Sequence, residues 1–137
     1  MVKRKKDVVS YNMSHIRSKG SVIERALGKI LRKSGFKYKK NYSKLIGKPD
    51  FVLEKKRIAI FCDSEFWHGK NWKIAKKEIK SNRSFWYPKI ERNIARDKEV
   101  NRALRKSGWK VVRFWGKDIK DRPNFCIEKI RKETGRK

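Results

Sequence analysis

Four acidic side chains and one histidine carry the chemistry this sequence has to offer: Glu24, Asp50, Asp63, Glu65 and His68. Asp50 follows Pro49 at the start of a short apolar run, Glu54-Lys55-Lys56 reverses the chain, and Arg57 to Phe61 returns as a second strand that leads into Asp63 and Glu65. Side chains alternate along a strand, so Ala59, Phe61, Asp63 and Glu65 share one side for as long as the extended conformation lasts, with Asp50 able to face them. Carboxylates gathered at adjoining strand ends make an oxygen-rich pocket for a hard divalent cation such as Mg²⁺, which keeps several waters and binds through one or two carboxylates plus substrate phosphates. Spacing by itself also fits ordinary strand-end carboxylates paired with lysine. His68 follows the acids closely and can take a proton from an activated water or hydrogen-bond a phosphate; taken alone it also fits a surface histidine in a basic loop.

These groups need a scaffold. Ser21-Val-Ile-Glu24 reads as a capping box that starts a helix, in which Ile23, Ala26, Leu27, Ile30 and Leu31 form one apolar stripe and Ser34-Gly35 closes the last turn. Glu24 is explained by the cap. It is also placed to orient a metal-bound water if the helix N-terminus points at the acids. Phe36 to Tyr42 alternates aromatic residues with lysine and is expected to be a strand, followed by the two strands of the acidic hairpin. His68 to Arg83 has no period and is expected to be a long basic loop with room for one helical turn. Ser84 to Pro88 opens a helix with the proline in its first turn, and that helix ends at Ser107-Gly108; Trp109 to Trp115 is a strand, and Asn124 caps a short last helix that packs Phe125, Ile127 and Ile130. The expected fold is α/β: a single domain with a central mixed β-sheet flanked by helices. Residues 1–20 form a basic N-terminal arm, 21–133 the domain and 134–137 a basic tail.

Composition narrows the partners. Forty-one Lys and Arg against 14 Asp and Glu give a net charge of +27, a field that favours polyanions, and double-stranded DNA is the first candidate because each neutralised phosphate releases counterions. A content of 37% hydrophobic and 12% aromatic residues, spread along the chain, argues against a disordered basic tail. The longest apolar run, Ile58 to Cys62, is far too short to span a membrane, and no secretory signal is visible. Cys62 and Cys126 form no metal-spacing pattern and hardly a disulfide framework, which suits a reducing cytoplasm; with a DNA partner, association with the nucleoid is expected there. With the acids, the charge points to a metal-dependent nuclease centre.

The order helix, three strands, helix, strand is that of the restriction-endonuclease-like αβββαβ core, and Pro49-Asp50 resembles the start of the PD-(D/E)xK signature; Asp63-Ser-Glu65 would then be D-x-E, with an acid where most members carry lysine. Longer matches are more specific. From Tyr11 to Trp115 the chain resembles the very-short-patch repair (Vsr) DNA mismatch endonucleases, through Asn12-Met13, Ile23-Glu24, Gly47-x-Pro49-Asp50-Phe51, Phe66-Trp67-His68, Phe85-Trp86-x-x-Lys89-Ile90-x-x-Asn93-x-x-Arg96-Asp97, Gly108-Trp109-x-Val111 and Trp115.

The resemblance implies a Mg²⁺-dependent enzyme, with Mn²⁺ as an alternative, that nicks one DNA strand beside a mispaired base. Asp50 would be the principal metal ligand, with Asp63 and the backbone carbonyl of Cys62 beside it. His68 would be the general base, with Glu24 and Glu65 as further catalytic candidates. Met13, Phe66, Trp67 and Trp86 would wedge between bases at the lesion, where unstacking costs least, and Lys89 and Arg96 would contact DNA. Members with structural zinc bind it through Cys and His near positions at which this chain has Glu65, Lys70, Trp72 and Lys117, so no zinc is expected and the loop must be held by packing, with Trp72 the leading candidate. A monomer is the default, since one nick needs one centre, and the reading leaves room for a protein partner from a repair system. Two alternatives stand beside it: a restriction-type or structure-specific endonuclease of the same fold, and a basic DNA-binding module without catalysis.

Overall fold

Alternation along the strands builds two apolar faces, and that is how the sheet is clothed on both sides. The computed structural model describes residues 22–135. The sheet has strands β1 (Lys39–Lys40), β2 (Phe51–Leu53), β3 (Ile58–Asp63) and β4 (Lys110–Trp115) in that spatial order. β1 and β3 pair antiparallel with β2, whereas β4 runs parallel to β3, from Ile58 opposite Lys110 to Asp63 opposite Trp115. Phe51, Leu53, Ile58, Ile60, Val112 and Phe114 face one way, into a cluster with Leu27, Leu31, Ile119, Cys126, Ile127 and Ile130. Val52, Ala59 and Phe61 face the other way, onto Val100 and Leu104. The period of two therefore sends Cys62 to the first side and Asp63 to the second.

Helices cover both faces: α1 (residues 22–33), α4 (Gly116–Asp121) and α5 (Pro123–Glu133) on the first, and α3 (Arg83–Lys106) on the second, with a short α2 (Trp72–Ala75) before it. This is a single α/β domain with the expected restriction-endonuclease-like core, and none of its described helices is long and apolar enough to cross a membrane. α1 buries Leu27 and Leu31 completely, as its stripe requires, and ends where Phe36 donates its N–H to Leu31 and Gly35 turns left-handed at φ 80°. Either leucine truncated to alanine would cost about 2–5 kcal/mol.

Four local expectations need correction. The strand expected over Phe36 to Tyr42 is only Lys39–Lys40, because Tyr38 turns its hydroxyl to the carbonyl of Gly28 (3.2 Å) and Asn41 leaves the extended region at φ 47°. Pro88 is not in the first turn of α3 but inside the helix, which begins at Arg83. Asn124 does not cap α5: Arg122 holds that position with Pro123 as the first helical residue, and Phe125 is exposed beneath the Arg122 guanidinium (4.1 Å) and not packed in the core. α4 has no counterpart in the sequence expectations, since its six residues are too few to display a period. Ser21, the first member of the proposed capping box, lies outside the described residues, as do Asn12 and Met13.

Candidate active site

The ends of β2 and β3 set the first group. Asp50 immediately precedes β2, and one of its oxygens accepts the Cys62 backbone N–H at 2.7 Å, which ties the two strand ends together and brings the Cys62 peptide against the carboxylate. Glu24, on the first turn of α1, directs its carboxylate toward Asp50. Burial pushes Asp50 up to about 7; the Cys62 N–H opposes the shift, and Glu24 and Asp63 add to it. Burial, with Asp50, Glu24 and Asp63 near by, also drives the Cys62 thiol far above its ordinary range, so any donor from this residue is its carbonyl and not a thiolate.

Asp63 ends β3 on the other side of the sheet, where it is buried with 4% of its surface exposed. Its two oxygens accept from Arg113 Nη1 at 3.1 and 3.2 Å, and His68 Nε2 lies 3.7 Å from Oδ1. The other ring nitrogen, Nδ1, is 2.6 Å from Asp97 Oδ2. A carboxylate oxygen only accepts, so Nδ1 carries the hydrogen, and in the neutral ring Nε2 keeps its lone pair. Burial lowers the His68 pKa, but the Asp97 bond and the charges of Asp63 and Asp97 outweigh it and leave the imidazole above its ordinary value. Burial raises Asp63, with His68 and Arg113 pulling it back and Asp97 pushing it further up. An oriented, basic imidazole beside two carboxylates is equipped to move a proton.

α3 supplies the far wall through a polar stripe at helical spacing. Asn93 Nδ2 donates to the Trp67 carbonyl (3.0 Å), Asp97 holds His68, and Asn101 Oδ1 accepts from Arg113 Nε (2.7 Å). Asn93 and Asp97 belong to the motif quoted above but carried no assigned role, and Asn101 and Arg113 were not singled out. The signal available in the sequence was the i, i+4, i+8 run of short polar residues within an otherwise apolar and basic helix. Gly69, left-handed at φ 63°, fixes the loop that bears His68, since a Cβ there would lie 2.5 Å from Ile94 of the same helix.

The aromatic residues form one cluster. Phe66, Trp67 and Trp86 meet edge to face with ring centroids 5.1–5.8 Å apart, and Phe85 adds a fourth ring 4.9 Å from Trp86. Trp86 is 7% exposed whereas Phe85 is 50% exposed, and Lys89 lies over both Trp67 (5.0 Å) and Phe85 (5.3 Å). Arg96 is exposed on the same helix and lines an open groove with Ile46, Phe85, Lys89 and Arg92.

Glu65 is not beside Asp63. The extended conformation ends at Asp63, and Glu65 turns to accept the Lys117 backbone N–H at 2.7 Å, at the start of α4. Trp72 packs against Tyr87 (5.4 Å) with its Nε1 directed at Glu91 (3.4 Å), and the Tyr87 hydroxyl reaches the Lys76 carbonyl. The basic segment after His68 is thus fastened to α3 by hydrogen bonds and a ring contact, while Glu65 before it ties the same loop to α4.

Comparison with known proteins accords with this geometry. A family model described as DNA mismatch endonuclease Vsr matches residues 2–74. The chain is 49% identical over 119 residues to type II nicking enzyme V.NmeDIP of Neisseria meningitidis serogroup C, covering 87% of this chain and 80% of that protein. It is 48% identical over 113 residues to type II nicking enzyme V.HpaIIP of Haemophilus parainfluenzae, covering 82% and 80%. With DNA mismatch endonuclease Vsr of Escherichia coli K12 it shares 30% over 121 residues, covering 88% and 77%.

Proposed function

The chain belongs to the family of Vsr DNA mismatch endonucleases, and on that footing we propose that this endonuclease hydrolyses one phosphodiester of double-stranded DNA beside a mispaired base, with Mg²⁺ or Mn²⁺ as cofactor. The observation that carries the reading is the meeting of Glu24, Asp50 and the Cys62 peptide. Their donor set is all oxygen, and two facing carboxylates with no basic side chain paired to them among the described residues suit a hard divalent ion. Asp50 and the Cys62 carbonyl would hold that ion, with Glu24 in reach to orient its water. Bound there, it supplies acidification of a water and neutralisation of charge on the phosphoryl oxygens.

His68 takes the proton at Nε2, and Asp97 at Nδ1 keeps the ring in the required tautomer and stabilises the imidazolium that results. Asp63 closes the same wall. Lys89 and Arg96 bind the backbone alongside, and Phe66, Trp67 and Trp86 open the stack at the mispair, each ring removed from the cluster being replaced by contact with a base. The names of the relatives as nicking enzymes support cleavage of a single strand, for which one centre, and so a monomer, suffices. Glu65 and Trp72, engaged with Lys117 and Tyr87, serve in place of zinc.

The test uses strand-labelled duplexes, one with a T:G mismatch and one fully paired, with Mg²⁺ and with EDTA. Mismatch-selective nicking of one strand that is lost in Asp50→Ala is the expected result. Equal cutting of paired DNA, or of both strands, would replace the reading by a restriction-type or structure-specific enzyme, and tight binding without cleavage would replace it by an inert DNA-binding module.

A further inference from the structure

The end of the sheet away from Asp50 carries charge that the reaction does not use. β2 leads from the site to the turn at Glu54–Lys56, β3 leads back, and the five residue steps from Ile58 to Asp63 measure about 17 Å at about 3.4 Å each. At that far end an open pocket of about 460 Å³ lies between the segment after α1 and the turn. Phe36 and Tyr38 form apolar walls, and Lys37, Lys39, Lys55 and Lys56 stand exposed around it. Tyr38 is fixed in place by its hydroxyl, which donates to the Gly28 carbonyl at 3.2 Å and accepts from Arg32 at 3.1 Å.

The charges of this pocket do not balance. Among the described residues that line it Glu54 is the one acid, and Lys39 pairs with it at 2.6 Å. Lys37, Lys55 and Lys56 form no ion pair among the described residues. Arg57 and Lys110 extend the same edge, since the Lys110 N–H donates to the Arg57 carbonyl at 2.8 Å. Like charges gathered in this way are stabilised by an anion among them. A small anion would meet the lysines and leave the aromatic walls bare. A nucleic-acid strand presents phosphates and, between them, sugars, so it meets both. A duplex seated at the Asp50 end would have to bend sharply around the domain to reach these lysines, against a stiffness that keeps DNA nearly straight over about 150 base pairs.

We propose that this lysine-lined pocket is a second DNA-binding site, which holds the backbone of a separate duplex while the first occupies the nuclease centre. The inference rests on the endonuclease reading above for the identity of its partner. Two sites at opposite ends of one sheet let the enzyme pass directly between duplexes, making phosphate contacts with the new one before it gives up those with the old. A search for a rare mispair then does not wait for full dissociation at each step.

The experiment follows, by stopped flow in EDTA, release of a fluorescein-labelled duplex from the full-length protein at increasing excess of unlabelled duplex. The wild-type release rate should rise with competitor, by about fivefold or more over an about tenfold range of concentration. In the triple variant Lys37→Gln, Lys55→Gln and Lys56→Gln, exposed positions whose exchange leaves the core untouched, the rate should be independent of competitor. Its affinity for the first duplex, and its mismatch nicking in Mg²⁺, should stay within about threefold of the wild type. A wild-type rate independent of competitor, a triple variant that responds as the wild type does, or a triple variant whose nicking falls by more than about tenfold would overturn the proposal. So would polyglutamate that speeds release as well as duplex does at equal charge, which would mark a site for an acidic protein. Competitor-dependent transfer in a protein that fails to nick in Mg²⁺ would support the second site and overturn the nuclease reading instead.

Discussion

Replacing Asp50 by asparagine should stabilise the metal-free protein while abolishing nicking, and the size of the gain follows from its position. Burial and Glu24 raise the carboxyl from an ordinary 3.8 to about 7. Below about pH 4 the group is protonated in both the folded and unfolded chains and contributes no slope. Between about pH 4 and pH 7 the unfolded chain releases a proton that the folded protein retains, so wild-type stability falls by about 1.4 kcal/mol per pH unit and levels off above pH 7. The whole loss is about 4 kcal/mol. The asparagine amide would keep an oxygen for the Cys62 N–H and offer an N–H to Glu24, so at pH 8 and in EDTA the variant should be more stable by about 2–4 kcal/mol, roughly 6–15 °C in Tm. Near pH 4 the difference should vanish. Mg²⁺ should stabilise the wild type, by about 2.7 kcal/mol at a hundred times its Kd, and leave the variant unmoved. Calorimetry or urea unfolding from pH 4 to 8.5 measures this. A variant no more stable than the wild type at pH 8, or more stable by the same amount at every pH, would refute the account of Asp50 as a carboxylate awaiting a cation.

Other expectations follow from the same geometry. Asp97→Asn should reverse the preferred tautomer of His68 and lower kcat by about 10²–10⁴-fold with a smaller change in KM, as measured in steady-state nicking with the circular dichroism spectrum unaltered. Trp86→Ala should cost about 3–5 kcal/mol of stability because the ring is buried, whereas Phe85→Ala, half exposed, should cost under about 1.5 kcal/mol; thermal unfolding compares them. Glu65→Ala removes the acceptor for the Lys117 N–H and should cost about 0.5–2 kcal/mol, a loss visible in the same melt. Lys89→Ala should weaken DNA binding and reduce the slope of log K against log salt by about one, readable from binding titrations between about 50 and 200 mM salt.

Much of the scaffold was legible because it depends on period and punctuation. The stripe from Ile23 to Leu31, the glycine closures at Gly35 and Gly108 and the hairpin around Glu54-Lys55-Lys56 are local signals, and each coincides with an element of the structure. Elements decided by contacts far along the chain were not legible. Tyr38 leaves the expected first strand for a hydrogen bond to α1, and α4 exists because Gly116 lets Ile23 approach and Glu65 receives its first turn. At the site, Asp50 and His68 stand out as rare residue types near a strand end. Asp97 and Arg113 do not, because an aspartate in a charged helix and an arginine among 41 basic residues carry no distinguishing mark until the fold sets Nη1 against Asp63. Glu65 shows the converse: the period of two implied a shared face, and the strand stopped two residues short of it.

α3 bears both the ring of Trp86 and, eleven residues later, the carboxylate that orients His68. At 1.5 Å per residue the two are separated by about 16 Å along the axis. The helix thus acts as a ruler. On the proposed reading, the spacing between the aromatic cluster and the carboxylate that holds His68 is kept by hydrogen-bonded backbone and not by a loop, so the cut should fall at one phosphate, and loop variation around the site should alter how readily a mispair is opened without moving the break.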